Sequence, residues 1–267
     1  SRKVYRHLDI GTAKPSPEQR QQVPYHLIDI VEPWESFSAA QFVETANEAI
    51  DDIRGRDKPV LAAGGTALYI KALLYGLFEG PGSDAAIRDR LRAQISERGL
   101  GAMHQRLTEV DPDAADRIHP NDEKRIVRAL EVYELTGRPI SSFQEQFEAG
   151  QMIHDWTIIG LRRPREIESR RINARVRKMI GDGLVEEVRM LLDDPRGLSD
   201  QARVAIGYAE IIEAIEGRME LDEAIEKIKV NTRRFAKNQR TWFRSFREVQ
   251  WIDVGQEEEI EDVIEKS

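Results

Sequence analysis

Arg171 and Arg175 stand four residues apart in a segment that also holds Arg170, Arg177 and Lys178. On a helix that spacing puts both guanidinium groups on one face. Their forked donors then suit bidentate recognition of a phosphate or diphosphate, which lysine cannot reproduce. Ion pairing with Glu166 and Glu168 fits the same spacing, so the segment alone leaves both readings open. A longer basic run follows. Residues 227–247 carry eight cations (Lys227, Lys229, Arg233, Arg234, Lys237, Arg240, Arg244, Arg247) and no acid, on a chain of formal charge -8. A concentrated positive segment on an acidic body is the pattern of a polyanion site. Phe235, Trp242, Phe243 and Phe246 lie among the cations and either pack inward or stack on bases. An amphipathic helix with a basic solvated face is the plain alternative.

Smaller motifs add to these. Gly64-Gly65-Thr66 follows an apolar run and lets a backbone approach a phosphate or base closely, or simply makes a tight turn. Asp9-Ile-Gly-Thr-Ala-Lys14-Pro15 places a lysine near an anion or holds a surface turn. After His119-Pro-Asn-Asp122, Lys124 and Arg128 share a helix face suited to phosphates, with Arg125 beside them and salt bridges to Glu123 and Glu131 as the other reading. Arg203-Val-Ala-Ile-Gly207-Tyr208 is a short loop before a helix and says nothing by itself.

The elements that must position these residues read as α/β. With 267 residues, 40% hydrophobic and 33% charged, the chain can bury a sizeable core. It has no cysteine and five scattered histidines without zinc-ligand spacing, so thiolate chemistry is excluded and no metal site is expected from its side chains. No apolar run spans a membrane and no signal pattern opens the chain, so a cytoplasmic protein is expected. Residues 26–30 and 59–63 read as strands, the second buried on both faces of a parallel sheet. Between them Ser38 and Gln41 form a capping box that starts a helix. Residues 1–80 are thus the first part of an α/β core, and 81–150 read as a helical insertion. Residues 151–255 return to the core, with strands at 156–161 and 249–253 and the basic helix; 256–267 form an acidic tail.

Taken in order, these pieces resemble the bacterial tRNA dimethylallyltransferases, also called tRNA isopentenyltransferases. The matching residues are Val4-Tyr-Arg6, Asp9 to Pro15, His26 to Ile30, Ser36 to Ser38, Gly64 to Tyr69, His119 to Asp122, Arg128 to Glu131, Ala205 to Tyr208, and Thr232 onward through Lys237, Gln239 and Thr241-Trp-Phe-Arg244. They run through residues 1 to about 253. The resemblance implies a P-loop-kinase-like parallel sheet core with a helical insertion domain. It also implies transfer of a dimethylallyl group from dimethylallyl diphosphate to the exocyclic amine of the adenosine 3′-adjacent to the tRNA anticodon, with Mg²⁺ as cofactor and a monomeric complete enzyme. By the same resemblance Arg175 binds the diphosphate. Ser1, Arg2, Lys3, Thr66, Arg88, Lys124, Arg125, Arg128, Arg203, Gly207, Thr232, Arg233, Lys237 and Gln239 then meet the tRNA anticodon stem-loop.

The chain departs from the family pattern at its start. The family's phosphate loop and the general-base Asp fall before the position of Ser1, so N-terminal strands of the core are expected to be missing. No catalytic residue is then expected within these residues, and the chain as given is expected to be inactive. An open sheet edge further implies association or partial unfolding. Lys3 stands where the family usually has Gln, and Asn238 where it usually has Arg. A catalytically dead tRNA-binding relative is the alternative reading; a small-molecule kinase has no need of the basic helix.

Overall fold

The computed structural model describes residues 2–77, 80–143, 152–246 and 248–255. Ser1, Arg247 and the tail from 256, all read above, lie outside the described residues. The chain divides into two compact units, one formed by residues 1–73 and 155–267, the other by 74–154.

Along the chain, a short 3-10 turn at Arg2–Val4 leads to helices α1 (Pro17–Gln22) and α2 (Ala39–Gly55). Both helices open on reciprocal capping boxes, Ser16 with Gln19 and Ser38 with Gln41, which satisfy orphan amides of the first turn. Helix α3 (Ala67–Tyr75) begins directly after Gly64-Gly65-Thr66, and the Ile70 amide donates to the Thr66 carbonyl at 3.0 Å.

The second unit is helical: α4 (Ala85–Arg98), α5 (Leu100–Val110), α6 (Pro112–Arg117) and α7 (Glu123–Thr136). Asp84, Asp111 and Asp122 cap α4, α6 and α7 through their side chains. Gly137 ends α7 at φ 67°, the left-handed conformation glycine adopts without penalty. Leu91, Leu107, Ile126, Leu130 and Val132 are fully buried together and give this unit a core of its own. Its entry and exit are joined, since the Ile153 amide donates to the Leu74 carbonyl at 2.8 Å.

The first unit resumes with β1 (Ile158–Arg162), then α8 (Arg165–Gly181), α9 (Leu184–Asp193), α10 (Asp200–Arg203), α11 (Tyr208–Ile215), α12 (Leu221–Phe243) and β2 (Val249–Asp253). β1 and β2 pair in parallel from Ile158 opposite Val249 to Arg162 opposite Asp253. The core joins Tyr5 and Leu8 to Leu184 and Val188 of α9 and to Tyr208 and Ile211 of α11. The described residues are therefore mostly helical with a small parallel sheet.

Two strands read from the sequence do not form. Residues 59–63 form no regular element and pair with no described strand, and Leu61 is 90% exposed. A strand exists only through its ladder, so an apolar run without a neighbour stays irregular. At 26–30 the obstacle is local. Leu27 and Asp29 take φ of 58° and 57°, in the left-handed region, which breaks a strand's pleat. The segment instead lies beside the chain start, with Tyr5 opposite Val31 in a single parallel bridge.

Candidate functional site

Helix α8 turns Ile172 and Val176 into the core, and that placement leaves Arg175 on its exposed side. Arg175 lines a groove of about 770 Å³ together with Arg6, Asp9, Lys14, Arg20 and Lys178. Most of these charges are already matched inside the protein. Arg6 pairs with Glu32 at 2.7 Å, Lys178 with Asp182 at 2.9 Å, and Arg20 with Asp29 at 2.7 Å. Arg175 has no hydrogen-bond or ion-pair partner among the described residues. Its charge is felt next door: burial first, and the Arg175 guanidinium second, hold the Lys3 ammonium below the ordinary lysine pKa.

The groove wall is fixed by a buried carboxylate. Glu187 of α9 accepts the amides of Asp9 at 3.0 Å, Ile10 at 2.8 Å and Gly11 at 3.3 Å, and the Tyr208 hydroxyl at 2.5 Å. Burial, with Glu187 beside it, pushes the Tyr208 hydroxyl well above the ordinary tyrosine pKa, so it stays a donor. The Asp9-to-Pro15 and Ala205-to-Tyr208 motifs, far apart in sequence, thus meet at one residue. A Cβ on Gly11 would fall 2.5 Å from the Tyr208 ring, which explains that glycine. Lys14 is committed to partners within the chain. Its ammonium, 3% exposed, is taken by the Tyr5 carbonyl at 2.5 Å, Asp9 at 2.6 Å and Asp29 at 2.5 Å. Burial opposes charge on Asp29, but the bonds from Lys14 and Arg20 outweigh it and hold that carboxyl below its usual range.

Helix α12 packs against α8 and α11 and divides its cations by partner. Arg233 donates to Asn173 of α8 at 2.6 Å, Arg240 pairs with Glu168, Lys227 with Glu213 at 2.7 Å and Lys229 with Glu226 at 2.5 Å. Gln239 reaches the Gly65 carbonyl at 2.7 Å, and a Cβ on Gly65 would lie 2.3 Å from its amide nitrogen. Gly64-Gly65-Thr66 therefore admits a side chain of α12 at close range. Arg234, Lys237 and Arg244 are exposed, and their side chains bond to no described residue.

The remaining candidates separate in the same way. The Thr232 hydroxyl bonds back to the Ile228 carbonyl at 2.7 Å. Arg203 pairs with Glu216, and the Gly207 amide donates to Glu210 at 2.7 Å with φ at 96°. Arg2 sits near the Tyr69 hydroxyl, whose pKa is raised chiefly by burial. In the helical unit Lys124 is exposed and Arg125 pairs with Asp122 at 3.3 Å. Arg88 grips Glu131 with two nitrogens at 2.9 and 3.1 Å, and Arg128 donates to the same carboxylate at 2.7 Å.

Mg²⁺ finds no ready ligand set here. Among the described residues no three His, Asp or Glu side chains converge on a metal site. The groove's own carboxylates, Asp9, Asp29 and Asp182, are each held by a lysine or arginine. The described residues by themselves do not fit the ion.

The IPP transferase family model matches residues 3–246. The chain belongs to the IPP transferase family. Among its relatives, the tRNA dimethylallyltransferase of Geobacter metallireducens is 50% identical over 95% of this chain and 82% of that protein. That of Geobacillus thermodenitrificans is 46% identical over 100% of this chain and 84% of its own length. The crystal structure of the full-length tRNA isopentenylpyrophosphate transferase of Bacillus halodurans superposes with a TM-score of 0.71 at 39% identity, covering 100% of this chain and 83% of that one. A eukaryotic dimethylallyltransferase acting on tRNA gives 0.75 at 25% identity, over 95% and 65%. Within this IPP transferase, two positions carry architecture that motif reading missed, Glu187 and Asn173, while Glu131 reads in sequence as an ion-pair partner of the 124–128 cations. Glu187 was hidden because a buried carboxylate looks in sequence like any acid on a helix, whereas Glu131, three residues after Arg128, had a local signal.

Proposed function

We propose that this IPP transferase moves a dimethylallyl group from dimethylallyl diphosphate to the exocyclic amine of the adenosine 3′-adjacent to the anticodon of a tRNA. The bond from the allylic carbon to the diphosphate oxygen breaks, its electron pair leaves with the diphosphate, and a carbon–nitrogen bond forms as the amine loses a proton. The observation that carries the reading is Arg175, which lines the groove without a partner among the described residues and whose charge reaches the Lys3 ammonium. Preorganised cations aimed at the leaving group stabilise charge as it develops. The exposed Lys237, Arg234 and Arg244 of α12 and Lys124 of the helical unit supply phosphate contacts on the tRNA. Arg88, Arg125, Arg128, Arg203, Arg233 and Gln239, already bonded within the chain, act in this reading by shaping the surface or by exchanging a partner for the RNA.

Calorimetric titration with dimethylallyl diphosphate tests it. Arg175→Ala is expected to weaken binding about 10- to 100-fold, the scale of a lost charge-assisted hydrogen bond, and Arg175→Lys to restore only part. Affinity is expected to fall as pH rises through the lowered pKa of Lys3, because only the protonated amine attracts the diphosphate. Unchanged affinity in Arg175→Ala sinks the reading. One observation favours a second reading, a tRNA binder without transfer: each carboxylate of the groove already holds a cation, so none of them is poised as a general base. Binding of tRNA and donor with no prenylated product in a transfer assay would select it.

A further inference from the structure

Four aromatic rings lie near the end of α12, and packing treats them differently. Phe246 is buried, and Phe243 leans on it with ring centroids 5.7 Å apart. Phe235 and Trp242 are 45% and 39% exposed and touch no other described ring. Seven residues separate these two, so at about 100° per residue they fall on nearly the same side of the helix. The cations Lys237 and Arg244 share the same spacing and fall on the opposite flank of the exposed arc, with Asn238 and Thr241 on the crest between. The aromatic flank adjoins the side of α12 from which Gln239 holds Gly65.

We propose that Phe235 and Trp242 are stacking platforms for two unpaired bases of a single-stranded RNA loop laid along α12. The inference rests on the reading that this surface meets tRNA and adds which side chains take its bases. A strand lying on the crest would set its phosphates over Lys237, Arg244 and Arg234 and turn its bases toward the two rings. Two turns of helix separate the platforms by about 10.5 Å, whereas stacked neighbouring bases are about 3.4 Å apart. The bases taken must therefore be splayed, which a loop permits and a duplex resists. Every base has a π-face, so such platforms select single strands over duplexes with little regard to sequence. The cations beside them make no intramolecular pairs among the described residues, which argues for an anionic occupant over an apolar protein partner.

Fluorescence anisotropy with an anticodon stem-loop and with a blunt duplex of the same length, across a salt series, tests the inference. Phe235→Leu and Trp242→Leu are each expected to weaken stem-loop binding about tenfold. The salt slope and the duplex affinity should stay unchanged. Trp242→Phe and Phe235→Tyr, which keep a ring, are expected to bind as the parent does. Lys237→Ala with Arg244→Ala is expected to flatten the salt slope by about one to two units. If the double cation variant loses affinity and slope while both leucine variants bind normally, the stacking inference is overturned and the tRNA reading stands. If the double cation variant also binds like the parent, the tRNA reading of this surface fails with it. A dimer in solution that the leucine variants dissociate would show that the rings cover protein instead.

Discussion

Glu131 shows how much one buried residue decides. Its side chain is fully buried, yet it holds a charge, because Arg88, Arg128 and the Asp84 amide at 2.7 Å supply donors to both oxygens. Burial pushes the carboxyl up, but those hydrogen bonds outweigh it and leave its pKa below the usual value. A carboxyl whose folded pKa is depressed adds stability that is present above its unfolded pKa and is lost as pH falls through the folded one. The helical unit is therefore expected to lose stability below about pH 4, the ordinary glutamate range. Glu131→Gln should remove that pH dependence and destabilise the fold by about 3 kcal/mol, since two arginines lose their counter-charge. Urea unfolding of both proteins at pH 7 and pH 3.5 measures this, and an unchanged midpoint at pH 7 would refute it. The cation pattern at 124–128 was plain in the sequence as a helix face. That Arg128 turns back onto Glu131, and also onto the Pro81 carbonyl at 2.7 Å, was visible only as one of two readings.

At the scale of elements, glycines mark where two segments approach closely. Gly11 and Gly65 both sit where a Cβ would collide, but with different neighbours. At Gly11 the neighbour is the rigid Tyr208 ring, itself locked onto Glu187; at Gly65 it is the far end of the flexible Gln239 side chain. Gly11→Ala is therefore expected to cost about 1–3 kcal/mol through overpacking. Gly65→Ala should cost no more than about 1 kcal/mol, the hydrogen bond that Gln239 gives up. Thermal melts of the two variants should rank in that order, and the reverse order would contradict this account. Helix starts were well legible, because caps such as Ser38 with Gln41 are local chemistry. The strands at 156–161 and 249–253 were legible as well, though not their pairing with one another. The strands expected at 26–30 and 59–63 were not formed. An apolar run states that it wants burial but does not state whether a partner strand stands beside it.

For the whole molecule, the chain passes from an α/β texture to a run of helices and back, and the structure groups 74–154 as one compact unit. That unit has a separate core and closes its ends on the bond between Ile153 and Leu74. A fragment of residues 74–154 is expected to fold alone, giving a helical circular dichroism spectrum and a cooperative melt. A fragment that stays unstructured in dilute buffer would show that its core depends on the rest.

The sequence by itself determined the family, the helical texture, the caps and the location of the basic segment, because these depend on neighbours within a few residues. Only the tertiary structure decided which cations are available. Arg240 meets Glu168 across 72 residues, Arg233 meets Asn173 across 60, and Gln239 meets Gly65 across 174. Those meetings follow from how α8, α12 and the glycine turn pack, which no local spacing records. They silence part of a basic run that looked uniform and leave Arg175, Arg234, Lys237 and Arg244 exposed, without a partner among the described residues.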